Sequence, residues 1–197
     1  MRHLTAFAFV FLFTLPAQAL EVPALRARVT DLAGLLDRGA QATLEAKLKA
    51  HEQATTQQFA LLIVPSLEGD PIEDYSIRVV EAWKLGTEKE DNGLLMLIVP
   101  GDRKMRIEVG HGLEGAIPDA IASRVIRNVL TPAFRSQNFA GGINEAFGLL
   151  IRAGGGEVID VVEVATPSSS SSSSSSSEPA TFGDFLIFLL FIILPIV

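Results

Sequence analysis

Two continuous apolar runs constrain the fold of this chain more than any other feature of its sequence. Residues 59–64 and 94–99 each contain six apolar side chains in a row, and a proline follows each run. A short run of this kind predicts a β-strand that is covered on both faces. Between the two runs, residues 72–85 have large side chains at helical spacing, and Gly86 ends this pattern. The order strand, helix, strand therefore predicts a βαβ crossover.

The residues after the second run predict a hairpin. Residues 104–109 alternate between apolar and charged side chains, and Pro100-Gly101-Asp102 supplies a turn before them. Further helices are expected over residues 37–54, 119–134 and 138–153, whereas residues 29–31 are too short and mixed to assign. Together these elements predict an α/β fold, a three-layer α/β/α sandwich with a small mixed sheet.

The first residues of the chain have the pattern of a cleavable secretory signal. Arg2 precedes an apolar run, and Ala17-Gln18-Ala19 supplies the small residues of a cleavage site. We expect residues 1–19 to be removed by a cut after Ala19. The folded domain, residues 20–155, is then expected on the periplasmic or extracytoplasmic side.

The last residues predict a tether. Residues 156–181 include ten consecutive serines, a composition typical of a flexible linker. Residues 182–197 are almost entirely apolar, but they are fewer than the roughly 20 residues that span a bilayer. We interpret them as a truncated C-terminal transmembrane helix. The expected location is therefore the cell membrane, with a single pass and contact with the lipid bilayer through this segment.

Charge and composition exclude several classes of function. The chain carries 23 acidic and 16 basic residues, a formal net charge of -7, which argues against nucleic acid as a partner and is compatible with cations. It has no cysteine, so a thiol nucleophile and a cysteine-based zinc site are excluded. Residues 110–115 superficially match a dinucleotide-binding motif. Their glycines lie too far before the expected helix start at Pro118 to hold a diphosphate, so no dinucleotide is expected.

Oxygen-bearing side chains lie at the ends of the expected elements and suggest a site for a hard cation. Calcium, and with stricter geometry magnesium, is bound by such oxygens. The alternatives are helix caps, turn residues and a solvated loop charge. If the cation interpretation holds, separate loops must bring these side chains together over one edge of the sandwich. The candidate metal ligands are Asp31, Asp91, Asn92, Glu114 and Asp119.

Three basic side chains are candidates for binding or catalysis. Arg103 and Arg106 lie in and after the turn of the hairpin, where an arginine could bind a substrate phosphate. The alternative for Arg106 is an ion pair with Glu108. His111, between two glycines, could act as a base or be merely exposed.

Several blocks of the sequence, in order over about residues 29–151, resemble the TPM domain family. That family includes the YgcG-like bacterial membrane proteins and a thylakoid-lumen protein linked to photosystem II repair. The most specific blocks are Asp91-Asn92-Gly93 and Gly112-Leu113-Glu114-Gly115, and His111 stands where the family commonly has an aromatic residue. The other blocks are Val29-Thr30-Asp31 with Leu35-Leu36, Trp83-Lys84-Leu85-Gly86, residues 103–106 and Pro118-Asp119.

The resemblance implies an α/β/α sandwich, calcium binding by acidic loop residues as in some members, and acid phosphatase activity as attributed to the plant member. Two functions follow as expectations. One is a membrane-tethered, divalent-cation-binding module that assists the assembly or maintenance of membrane protein complexes. The other is a metal-dependent acid phosphatase that acts on phosphomonoesters. No residue is an obvious nucleophile, which favours the first.

Overall fold

The two apolar runs lie side by side in the middle of a four-stranded sheet. The computed structural model describes residues 19–159. Its strands run in the order β1-β2-β3-β4; the first three are parallel and β4 is antiparallel to β3. The prediction of an α/β fold with a mixed sheet is confirmed. The strands are β1 (Val29–Asp31), β2 (Gln58–Ile63), β3 (Gly93–Val99) and β4 (Lys104–Val109).

Strand β1 is the element that the sequence pattern missed. It has three residues, which is too few for an alternating pattern to be recognised. The helices lie over the expected helical segments, except that the segment at residues 119–134 is interrupted by a π-helical turn. The helices are α1 (Arg38–Thr55), α2 (Ile72–Trp83), α3 (Asp119–Val125), the π-helical turn Ile126–Leu130, α4 (Thr131–Arg135) and α5 (Phe139–Gly154), with a 3-10 turn at His111–Leu113.

Helices cover both faces of the sheet because its central strands are apolar on both sides. Phe59 and Leu61 of β2 face α1, α3 and α5, in a core that includes Leu48 and Phe147. The alternate strand residues, such as Leu62, contribute to a second core formed with α2. This arrangement explains why the strands are continuous apolar runs rather than alternating ones.

The two crossover helices lie on opposite faces of the sheet. Helix α1 connects β1 to β2, and α2 connects β2 to β3, so both connections advance in the same direction across the sheet. The two crossovers therefore have opposite hands, and one of them is left-handed. Right-handed crossovers are strongly preferred, so the general rule alone does not lead to this topology.

The predicted signal, linker and transmembrane segment lie outside the described residues, apart from a few at their borders. Within residues 19–159, no helix has the length and apolar composition that a bilayer span requires.

A buried histidine makes stability depend on pH. His51 on α1 is 8% exposed, and its Nε2 lies 2.9 Å from Oε1 of Gln57. Its ring packs edge-to-face with the ring of Phe59, with 4.6 Å between the ring centroids. Burial lowers the pKa of His51. The unfolded chain therefore takes up a proton below about pH 6.5 that the folded domain resists, and stability falls as pH drops from there through the lowered pKa.

We expect the free energy of unfolding to decrease between pH 7 and pH 5, and the variant His51→Gln to show a smaller decrease. Urea unfolding at a series of pH values measures both slopes. Equal slopes in the two proteins would show that His51 does not contribute.

Candidate functional site

Hydrogen bonds hold the loop that leads into β3 against the loop that follows β4. The backbone N–H of Gly112 donates to the carbonyl of Asp91 at 3.1 Å, and that of Gly110 donates to the carbonyl of Gly93 at 2.8 Å. The carboxylate of Asp91 also accepts from the backbone N–H of His111 at 2.9 Å. Asp91, a candidate metal ligand, is therefore held by the opposite loop.

Asn92 is buried, and its side chain links these two loops to neighbouring residues by hydrogen bonds. Its Oδ1 accepts from the backbone N–H of Thr87 at 3.0 Å. Its amide nitrogen donates to Thr56 Oγ1 and to Glu90 Oε2, each at 3.2 Å. All of these contacts lie within the protein, so the geometry matches the interpretation of Asp91 and Asn92 as turn residues.

Asp31 and Asp91 lie at opposite ends of the parallel strands. Asp31 is aligned with Ile63 and Ile98 at the carboxyl ends of the parallel strands, whereas Asp91 precedes the first residue of β3. Five residue steps of strand separate these ends, roughly 17 Å. The expectation that these loops converge over one edge is therefore wrong. Both Asp31 oxygens also accept from nearby backbone N–H groups, those of Ala33 at 3.0 Å and Leu36 at 2.8 Å.

Glu114 and Asp119 share a polar recess along β4. The recess has a volume of about 390 Å³, and Arg106 and Glu108 also line it. Glu114 is mostly exposed, and its Oε2 lies 3.1 Å from Nδ1 of His111, which is itself 86% exposed. The structure therefore brings together two of the five candidate ligands, next to a cationic side chain.

Calcium does not fit these residues as a preformed site. Across residues 19–159, no three His, Asp or Glu side chains are grouped so that they could hold one metal ion. A calcium ion takes six to eight oxygen ligands, and two carboxylates in an open recess supply too few of them.

Arg106 forms an ion pair with Glu108, as in the alternative interpretation of its role. Its Nε donates to Glu108 Oε2 at 2.6 Å and to Ser76 Oγ at 3.0 Å, and the hydroxyl of Ser76 donates to the same carboxylate at 2.9 Å. The hydrogen bond to Glu108 raises the pKa of Arg106. Ser76 is fully buried. The group therefore joins β4 to α2, and an anion contact by Arg106 stays a prediction.

A wide groove opens at the carboxyl end of β3, where ligands commonly bind in open α/β sheets. Its volume is about 1110 Å³. It lies between the β3–β4 turn, the start of α2 and the segment from the π-helical turn to α5. Apolar side chains and a basic rim line it: Ile72, Ile98, Val99, Met105, Ile126, Phe134 and Phe139, with Arg103, Lys104 and Arg135.

The π-helical turn borders this groove through Ile126 at its start and Thr131 just after its end. Pro132 lacks the backbone N–H that a regular α-helix would use, and Thr131 Oγ1 donates to the carbonyl of Ile126 at 2.8 Å. Such turns are frequent at functional sites. Of the groove residues, only Arg103 is among the candidate site residues of the sequence. Pro132 inside a helical pattern is the signal that could have indicated the irregular helix.

Known proteins resemble this chain in sequence and in fold. A family model described as the TPM domain matches residues 29–153. The N-terminal domain of a protein from P. gingivalis, solved by solution NMR, is 36% identical, covers 66% of this chain and 82% of its own, and has a TM-score of 0.61. No curated protein sequence matches the chain.

Two further solution structures share the fold. The N-terminal domain of a protein from Corynebacterium glutamicum is 21% identical, with coverage of 83% of this chain and 95% of its own and a TM-score of 0.50. The BA42 protein from Bizionia argentinensis is 17% identical, with coverage of 70% and 88% and a TM-score of 0.52.

Proposed function

The chain belongs to the TPM domain family, and on this basis we propose that it is a membrane-tethered, extracytoplasmic binding module that helps to assemble or maintain membrane protein complexes. The observation that carries the proposal is the groove at the carboxyl end of β3, with its apolar lining and basic rim. The secretory signal, serine linker and apolar C-terminal segment of the sequence support the proposed location.

Charge complementarity identifies the kind of partner that the groove would bind. The rim carries Arg103, Lys104 and Arg135 against the single carboxylate of Glu73, although the chain as a whole has a net charge of -7. An acidic partner would be attracted to this rim and repelled by most of the remaining surface. The proposed occupant is a segment of a membrane protein that combines bulky apolar side chains with carboxylates.

The size of the groove and the aromatic pair at its wall favour such a segment over a small substrate. Its volume of about 1110 Å³ exceeds the roughly 300–1,000 Å³ of most small-molecule sites. Phe134 and Phe139 form an edge-to-face pair at its wall, with 4.9 Å between their ring centroids. Aromatic side chains of this kind form the energetic centres of protein interfaces.

The alternative is a metal-dependent acid phosphatase acting on phosphomonoesters, and it would have to use the polar recess along β4. Glu114 and Asp119 would provide the metal ligands there, and Arg106 would contact the phosphate. Arg106 is paired with Glu108, and Ser76, the hydroxyl nearest to it, is fully buried. These contacts support the binding module over the enzyme.

Photo-cross-linking in cells that express the full chain tests the proposal. A photoreactive residue at Gln137, which is exposed and lines the groove, should give cross-links to membrane proteins. The same residue at Glu145, which is exposed on α5 outside the groove, should give none. Cross-links of equal yield at both positions would contradict a specific groove.

The enzymatic alternative has its own measurement. Purified wild-type protein should not hydrolyse a phosphomonoester above the buffer rate with calcium or magnesium present. Turnover that is lost in the double variant Glu114→Gln/Asp119→Asn, whose two side chains line the recess, would instead establish the phosphatase.

A further inference from the structure

The backbone nitrogen of Leu20 lies against a carboxylate that is already paired. It is 2.7 Å from Oδ2 of Asp70, and Nη2 of Arg78 on α2 lies 2.7 Å from the same oxygen. Arg78 also donates to the carbonyl of Leu20 at 3.3 Å. The side chain of Asp70 is only 16% exposed. One residue at the start of the described chain therefore completes a partly buried polar group.

The residues after Leu20 follow a fixed path along α2. Leu20 and Val22 pack against the second core. The carbonyl of Glu21 accepts from the Tyr75 hydroxyl at 3.3 Å, and that of Pro23 accepts from the indole N–H of Trp83 at 2.6 Å. These contacts hold the segment before β1 in place, so the position of the Leu20 nitrogen is determined by the fold.

The nitrogen held by Asp70 is the one that the predicted cleavage would release. We propose that processing between Ala19 and Leu20 turns this amide nitrogen into an α-ammonium group that forms a structural ion pair with Asp70. Hydrolysis breaks the Ala19–Leu20 amide bond: the oxygen of water enters the new carboxylate of Ala19, and both protons of water end on the nitrogen, whose single N–H becomes an ammonium group. The inference rests on the secretory part of the proposed function, and its readout is stability rather than partner binding.

The new charge strengthens the contact. Before cleavage a neutral N–H faces Asp70, and after it a cationic donor does, which gives a charge-assisted hydrogen bond. Asp70 is ionised at neutral pH, and Arg78 and the Leu20 N–H lower the pKa of its carboxyl further below its ordinary value. Tyr75, whose pKa is raised by burial, is a further ionisable neighbour of Asp70, and Glu21 follows Leu20 in the chain. The mature domain therefore has a stabilising pair that the precursor lacks.

Two proteins that differ by one residue test the proposal. One comprises residues 20–165, released from a fusion so that Leu20 is the first residue, and the other retains Ala19. Both cores lie within residues 19–159, and the isolated N-terminal domain of the P. gingivalis protein was solved in solution, so this part of the chain is suitable for study. We expect the form that begins at Leu20 to have a Tm higher by about 2–4 °C at pH 7.

Two controls attribute the difference to the ion pair. In Asp70→Asn the two forms should melt together, because the carboxylate is gone. In the wild type the difference should be present below about pH 8, where an α-amino group is normally protonated, and should disappear as the pH rises further. The pH series also decides the question if Asp70→Asn does not fold. Equal Tm values for the two wild-type forms at pH 7 would overturn the ion pair.

The cleavage position has a separate measurement. The mass of the full chain recovered from membranes should correspond to a protein that begins at Leu20. Any other first residue would overturn the assignment of the processing site, whatever the groove binds.

Discussion

The variant Gly112→Ala is expected to lose about 3 kcal/mol of folding free energy, because its new methyl group would collide with backbone. A Cβ atom at this position would lie 1.8 Å from the carbonyl oxygen of Glu90. The neighbouring backbone cannot yield easily, since Asp91 in the same loop accepts hydrogen bonds from Gly112 and His111. The loops must therefore separate, and the contacts of Asp91 are lost with them. Urea unfolding should show the loss, together with a Tm lower by roughly 10 °C.

Gly115→Ala is the matched control. It makes the same chemical change three residues away, where a Cβ would meet nothing within 4 Å. Its stability should stay within about 0.5 kcal/mol of the wild type. If the two variants were equally stable, the close approach of the two loops would not exist in solution.

The contacts between these two loops explain why the most specific sequence blocks indicate a cation site. Asp91-Asn92-Gly93 and the glycines after β4 have residue types that are typical of both ligand loops and tight backbone contacts. In the structure these blocks make backbone hydrogen bonds to each other and close contacts with neighbouring backbone: a Cβ at Gly93 would lie 2.5 Å from the carbonyl oxygen of Leu85. Residue type and spacing alone could not distinguish the two cases, since each requires acceptors beside glycines.

The strands were predictable because burial on both faces leaves a direct mark on the sequence. Residues 59–64 and 94–99 are apolar throughout because helices cover each side, and residues 104–109 alternate because β4 is only partly covered. Strand β1 was not predictable, since three residues carry too little pattern. The hand of the crossovers also left no mark in the sequence.

The separation of Asp31 from Asp91 has a simple topological reason. Asp31 ends a strand and Asp91 precedes one, and in parallel strands these positions lie at opposite ends. Once β1 is known to be a strand, the two side chains can be placed without coordinates. The groove is different, because it forms between the β3–β4 turn, the start of α2 and the irregular helix at Thr131 and Pro132, and no local pattern reports that three-dimensional shape.

Reversing the charge of the rim is expected to remove partner binding. In Arg103→Glu/Arg135→Glu, two cations that face the proposed acidic segment become anions, so attraction is replaced by repulsion. We expect the yield of cross-links from Gln137 to fall at least about tenfold, as for a tenfold weaker affinity, which is a loss of about 1.4 kcal/mol of binding free energy. Both side chains are exposed, so the Tm of the purified variant should change little.

The control for this variant is Arg38→Glu/Lys49→Glu, which makes the same change in net charge at two exposed positions of α1 outside the groove. It should leave the cross-links from Gln137 intact. The comparison separates a local effect of the rim from the general effect of a more acidic domain, because screening by salt confines each charge to roughly 10 Å. Equal losses in the two variants would mean that net charge, rather than the groove, governs association. Unchanged cross-links in the rim variant would mean that the partner is recognised by the apolar floor alone, and the acidic character assigned to it would be wrong.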